Sequence, residues 1–160
     1  MHTLLQMQDI ARREVTRGLE ALTDEDSLRR VEPMNCISWT IGHVAHQQHA
    51  FFVAWPQGKE SDPQYRSFGT GSPASQPPLS EVMALWRASC DDADAWLDTA
   101  TEESLREPFP SHEGENIGTL LARNIFHTWS HLGEISAIRQ ILGHRPPEFV
   151  SLHGWSYGGF

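Results

Sequence analysis

The chain has 160 residues, with 12 Lys and Arg against 21 Asp and Glu, and a net charge of −9. That length predicts one domain, residues 1–160, and two cysteines, Cys36 and Cys90, are too few for a secreted disulfide framework. The acidic balance repels phosphate and excludes nucleic acid as the expected partner, while the longest apolar run, Ala50 to Trp55, is far short of the ~20 residues that span a bilayer.

The N-terminus lacks a signal-peptide core and reads as an amphipathic helix, so a reducing, cytoplasmic setting is expected. That first helix runs from about His2 to Leu22, with Leu4, Leu5, Ile10, Val15, Leu19 and Leu22 at roughly helical spacing. Thr23 to Pro33 is charged and reads as a connector. The second helix spans about Ser38 to Trp55, capped by Asn35 or Ser38 and stopped by Pro56 and Gly58. Pro56 to Pro78 holds five prolines and reads as a long crossover loop within the domain. The third helix starts at Ser80 as N-cap and ends near Ala100, with Asp91, Asp92, Asp94 and Asp98 on a solvated face. After a loop from Thr101 to Glu115, the fourth helix starts near Asn116 and ends at Gly143. The tail ends in Trp155, Tyr157 and Phe160, which pack on the bundle or on a second copy of it. No strand is predicted, and the fold class is all-α: a four-helix bundle with a long crossover between helices two and three.

Nine histidines direct attention to metal chemistry. His127 and His131 are four residues apart, so their rings sit one above the other on one helix face and can reach a common ion. In projection, Leu120, His127, His131, Ile138 and Leu142 fall within about 60° of one another, which makes this the apolar, core-facing stripe. Buried imidazoles need partners. A shared metal supplies them, and so do ordinary hydrogen bonds in a plain helical bundle. Helix two offers His43, His46 and His49. His43 lies nearest the edge of its apolar arc and is the third candidate ligand, with His46 in reserve and His49 facing solvent. Glu134 and Asn124 lie close to the pair in projection; Glu134 orients an imidazole or shapes the pocket, and an ordinary polar contact is open to each. Cys36 reads as buried packing, and His2, His112, His144 and His153 fall in termini or loops without an assigned role. Arg123 is within reach of the pocket rim or forms an exposed salt bridge. Thr128 follows His127, so the glutamate of H-E-x-x-H is missing and a zincin-type protease is excluded.

The segment Ser38-Trp-Thr-Ile-Gly-His43-Val-Ala, followed downstream by His127-x-x-x-His131-Leu-Gly-Glu134-Ile and Leu142-Gly143, resembles the DinB-like (YfiT-like) metalloprotein superfamily. The resemblance covers nearly the whole chain. It implies a four-helix bundle, a divalent ion, zinc or nickel, on His43, His127 and His131, and a homodimer. It also implies one of several roles: a thiol S-transferase acting on a small-molecule substrate with a low-molecular-weight thiol, a metal-dependent hydrolase, or a non-enzymatic binding protein. Glu134 stands where Gln is frequent, and His46 and His49 are additional. Three histidines leave one coordination position open, the pattern of catalytic rather than closed structural sites.

Overall fold

The computed structural model describes residues 2–109, 113–145 and 147–149. It contains six α-helices: α1 (Thr3–Gly18), α2 (Asp24–Leu28), α3 (Ile37–His49), α4 (Pro63–Arg66), α5 (Leu79–Leu97) and α6 (Ile117–Ile141). The long helices α1, α3, α5 and α6 form the expected all-α bundle, with α1 along α6, α3 along α5, and α3 also meeting α6. Among the described residues there is no strand, only an isolated bridge between Pro108 and Asn116. No described helix is long and apolar enough to cross a membrane. Trp155, Tyr157 and Phe160, on which the packing of the tail was read, lie outside the described residues.

Several boundaries differ from those expected. Helix α1 stops at Gly18, short of Leu22. The charged connector contains α2, capped by Thr23, whose Oγ1 accepts from the Asp26 N–H at 3.1 Å. Neither Asn35 nor Ser38 caps α3; the cap is Cys36, without a side-chain hydrogen bond. Likewise Pro78, not Ser80, precedes α5. At the start of α3 Cys36 and Ile37 are fully buried, and in the first turn of α5 Val82 is, so packing fixes the helix entry. Asn116 does cap α6, its Oδ1 accepting from the Thr119 N–H at 2.8 Å, and Gly143, at φ +86°, closes the helix. Helix α3 runs on through a π-helical segment, Ala50–Ala54, in which the Trp55 N–H donates to the Ala50 carbonyl at 3.1 Å.

The interior is layered. One apolar cluster gathers Val15, Ile41, Val44, Val82, Trp86, Leu132, Ile135 and Ile138. A second gathers Phe51, Phe52, Ala93, Leu97, Leu120, Leu121 and Ile125. Near the junction of the two lie buried polar residues: Gln8 of α1, Gln48 of α3, Ser89 of α5, and Asn124 and Thr128 of α6. The amides of Gln8, Gln48 and Asn124 approach one another at 2.8–3.2 Å. Paired in this way, with only Asn124 Oδ1 left without a partner among the described residues, buried amides stabilise one helix register over others.

The buried face of α6 matches the stripe read from the sequence only in part. Leu120 and Ile138 of that stripe are buried, but so are Leu121, Asn124, Ile125, Thr128, Leu132, Ile135 and Arg139, so the centre of the core face is turned by about 70° from the histidine line. Arg139 is buried because its Nη1 and Nη2 donate to the Gly18 and Glu20 carbonyls at 2.6 and 2.9 Å. Phe126, by contrast, is 73 % exposed. His127 and His131 therefore stand at the edge of the core, half-buried.

The crossover is an ordered part of the fold. Tyr65 of α4 and Phe68 are buried against the first cluster. Phe68 reaches α3 at Gly42, where a Cβ would lie 2.5–2.7 Å from its ring. Only glycine fits there, and Gly42→Ala must push the ring away. The expected cost is about 1–3 kcal/mol in denaturant unfolding, the range for overpacking a filled core. A variant as stable as the parent would show that the crossover yields freely.

Candidate metal centre

Two elements build the site. Helix α3 contributes His43 from its middle, and α6 contributes His127 and His131 one turn apart. The ring atoms of the three that can ligate a metal lie within 4.8 Å of one another, so they can hold one ion between them. His127 Nε2 is 3.1 Å from His43 Nε2 and 3.1 Å from His131 Nε2. For ions bound at about 2.0–2.1 Å, ligand nitrogens stand about 2.9–3.4 Å apart between right-angle and tetrahedral arrangements. The observed spacing falls inside that interval.

The other ring nitrogens fix the tautomers. His43 Nδ1 is 2.6 Å from the Phe68 carbonyl, which only accepts, so Nδ1 carries the proton and donates. His131 Nδ1 is 2.6 Å from Glu134 Oε2 and donates to that carboxylate. Both Nε2 atoms are then bare lone pairs turned on His127 Nε2. His127 Nδ1 is buried with no partner among the described residues. If His127 carries its proton on Nε2, it can serve one neighbour well, and its Nδ1 lone pair is orphaned. If it carries it on Nδ1, three Nε2 lone pairs face one another. Protein atoms alone satisfy neither arrangement; a cation among the three nitrogens answers the lone pairs of the second and leaves only the buried Nδ1–H of His127 without a partner among the described residues.

Burial sets the electrostatics. His43 is 7 % exposed, and desolvation lowers its pKa below the usual histidine value. Desolvation, followed by the fields of His131, His43 and His46, pushes His127 down to about 3. Both are neutral at pH 7, as metal ligation requires. The Trp39 indole, one turn before His43 on α3, stacks on its ring at 5.3 Å and 12°. A cavity of about 270 Å³ has His43 and His131 in its wall, along with Trp39, Thr40, Thr70 and Glu134. Room for a small molecule thus lies beside two of the three imidazoles.

The remaining assignments divide. His46 stays outside the three-histidine group, its Nδ1 buried and unpartnered. His49 does not face solvent: it is 5 % exposed and stacks on Tyr65 at 4.2 Å, because the crossover folds over that side of α3. Glu134 takes the orienting role. Asn124 makes an ordinary polar contact, in the buried amide layer. Arg123 pairs with Glu115. His2 caps α1, accepting from the Leu4 N–H, and His144 lies 2.9 Å from Asp26, whose carboxyl it holds below the usual range. His112 and His153 lie outside the described residues. The Phe68 carbonyl was not foreseen, since a backbone atom 25 residues away leaves no sequence signal. Trp39 was legible in principle from its four-residue spacing to His43.

No curated protein matches the chain. The family model described as the DinB superfamily matches residues 8–135, a stretch that takes in His43, His127, His131 and Glu134. On that match the chain belongs to the DinB superfamily.

Proposed function

We propose that the protein binds one divalent metal ion, zinc or nickel, on His43, His127 and His131, and that it serves a thiol S-transferase reaction. The convergence of three Nε2 atoms, two of them on rings whose protons are committed at Nδ1, carries the metal reading. Imidazole donors suit zinc and nickel alike. Bound there, such an ion supplies Lewis acidity that lowers the pKa of a coordinated thiol or water. The chain's own groups do the rest. Phe68 and Glu134 hold two rings in the ligating tautomer, and Trp39 backs His43 against rotation. The neighbouring cavity admits the thiol and an electrophilic carbon. In the transfer a C–S bond forms, and the leaving group departs with the electron pair of the bond it loses.

Protein purified without a nickel column is expected to carry about one divalent ion per chain by elemental analysis. His127→Ala or His131→Ala removes most of it, His43→Ala nearly as much, and His49→Ala little. Metal-free protein that stays so when offered zinc or nickel overturns the site. Glu134→Ala is expected to weaken metal binding about 10–100-fold, the usual effect of losing a partner that orients a ligand, whereas Glu134→Gln, which still accepts from Nδ1, keeps most of it. Equal loss in both would mean that the carboxylate charge, rather than ring orientation, matters.

The pH dependence has a definite sign. His43, His46, His49 and His127 all have folded-state pKa values below their ordinary 6.5, chiefly through desolvation. Above about pH 6.5 both folded and unfolded forms are neutral; below it the unfolded chain takes up protons that the folded chain refuses. Stability of the chelated protein should therefore fall as pH drops from 7.5 to 5. The extra stability given by metal should fade over the same range, as protons compete for the imidazoles. Thermal melts that coincide at both pH values, with and without chelator, would contradict this.

The activity is tested with a panel of low-molecular-weight thiols and a chromogenic electrophile, comparing holo-protein, chelated protein and His131→Ala. A rate confined to the holo-protein is the expected result. Equal rates in all three show background chemistry only, and a metal-binding protein without turnover becomes the better reading.

A further inference from the structure

We propose that a second cavity, between the crossover and α5, binds a small organic cation: an amine with an apolar or aromatic body and an oxygen next to its charge. This site is separate from the metal centre and does not rest on the thiol-transfer reading. The cavity measures about 610 Å³, within the roughly 300–1,000 Å³ typical of ligand pockets. Its charged lining is of one sign: Asp62, Glu81 and Asp92, with no Lys or Arg among the lining residues.

Those three carboxylates form no ion pair among the described residues. Eight arginines elsewhere, by contrast, are paired with Asp or Glu. Nearby Arg66 is turned away, donating to the Ser61 carbonyl at 3.0 Å. The fold thus gathers anionic charge around a recess and places no cation in its lining, although the field of Lys59 reaches His49. The field reaches the wall: Tyr65 has its pKa raised above the usual phenol value by burial first, and then by Asp92 and Asp62.

The rest of the lining suits an organic ion rather than a bare metal. His49 and Tyr65 stack with rings 8° from parallel, and Phe68, Val82 and Leu85 supply apolar surface. Aromatic faces attract cations, and more strongly away from water. His49 provides an independent indication. It is 5 % exposed and lines the cavity, and its Nδ1 has no partner. Its Nε2 accepts from the Asp62 N–H at 3.4 Å, which leaves Nδ1 as an unused donor. An oxygen carried next to the cationic group of a ligand would accept from it. Phe68 belongs to both sites, its ring in this cavity and its carbonyl on His43.

The test is calorimetric titration of the full chain with 2-amino-1-phenylethanol, an aromatic amino alcohol, against 1-phenylethanol, which lacks the charge. Saturable one-to-one binding of the amine alone is expected. The exposed pair Glu81→Gln/Asp92→Asn should weaken it about tenfold or more, while Asp91→Asn/Glu103→Gln, which removes the same charge outside the cavity, should change it by less than about twofold. Asp62 is left intact because it caps α4. Circular dichroism and metal content of both double variants check that the fold is retained. No saturable binding, equal binding of the uncharged alcohol, or equal weakening in both double variants would overturn the proposal, the last by reducing it to general attraction to an acidic protein.

Discussion

The hydrogen bond from His43 Nδ1 to the Phe68 carbonyl ties together parts of the chain that are 25 residues apart. It is buried, it fixes the imidazole tautomer, and it requires the crossover to run closely against α3. Gly42 permits that approach by presenting no side chain to the Phe68 ring. Once Phe68 is seated, Tyr65 falls onto His49, and the crossover becomes one wall of a cavity bounded by α5. The segment that composition marks as a loop is therefore a structural part of two sites. The lone pair that His43 Nε2 turns toward His127 depends on a carbonyl from that segment.

A second constraint aligns the two helices that carry the histidines. Burying side-chain amides is costly unless they find partners, and Gln8, Gln48 and Asn124 find them in one another. The pairing holds only at one axial register of α1, α3 and α6. His43 lies five residues before Gln48, and His127 three residues after Asn124. The register that satisfies the amides is the one that brings Nε2 of His43 to 3.1 Å from Nε2 of His127. Apolar packing alone would tolerate small slips; a polar layer penalises them.

The helices, their order, the crossover and the three histidines were legible in the sequence, because helical periodicity and a four-residue spacing encode local geometry directly. The rotation of α6 was not. Asn124, Thr128 and Arg139 are polar by type yet buried, each held by partners on α1, on α3 or in its own backbone. Phe126 and Ile141 are apolar by type yet exposed. A hydrophobic projection weighs the residue type and misses the partner, so it placed the histidines in the middle of the core face instead of at its edge. The burial of His49 was hidden for a related reason: what covers it is Tyr65, from a segment whose prolines predict no packed element. Glu134 was readable because its partner, His131, is three residues away on the same helix.

The π-helical segment Ala50–Ala54 follows α3 and gives its closing turn an angular setting different from that of Ile37–His49. A turn closed by an i to i+5 bond contains one residue more than its neighbours, so the side chains beyond it point in directions that an unbroken helix would not give them. Upstream, the helix is set by the needs of His43 and Gln48. Within the segment, Phe51 and Phe52 are set by the second apolar cluster. One helix thereby meets two incompatible angular demands, and substitutions that repack the far cluster need not turn the imidazole. The extra residue works as a mechanical decoupler, isolating the aim of a ligand from the upkeep of the core below it.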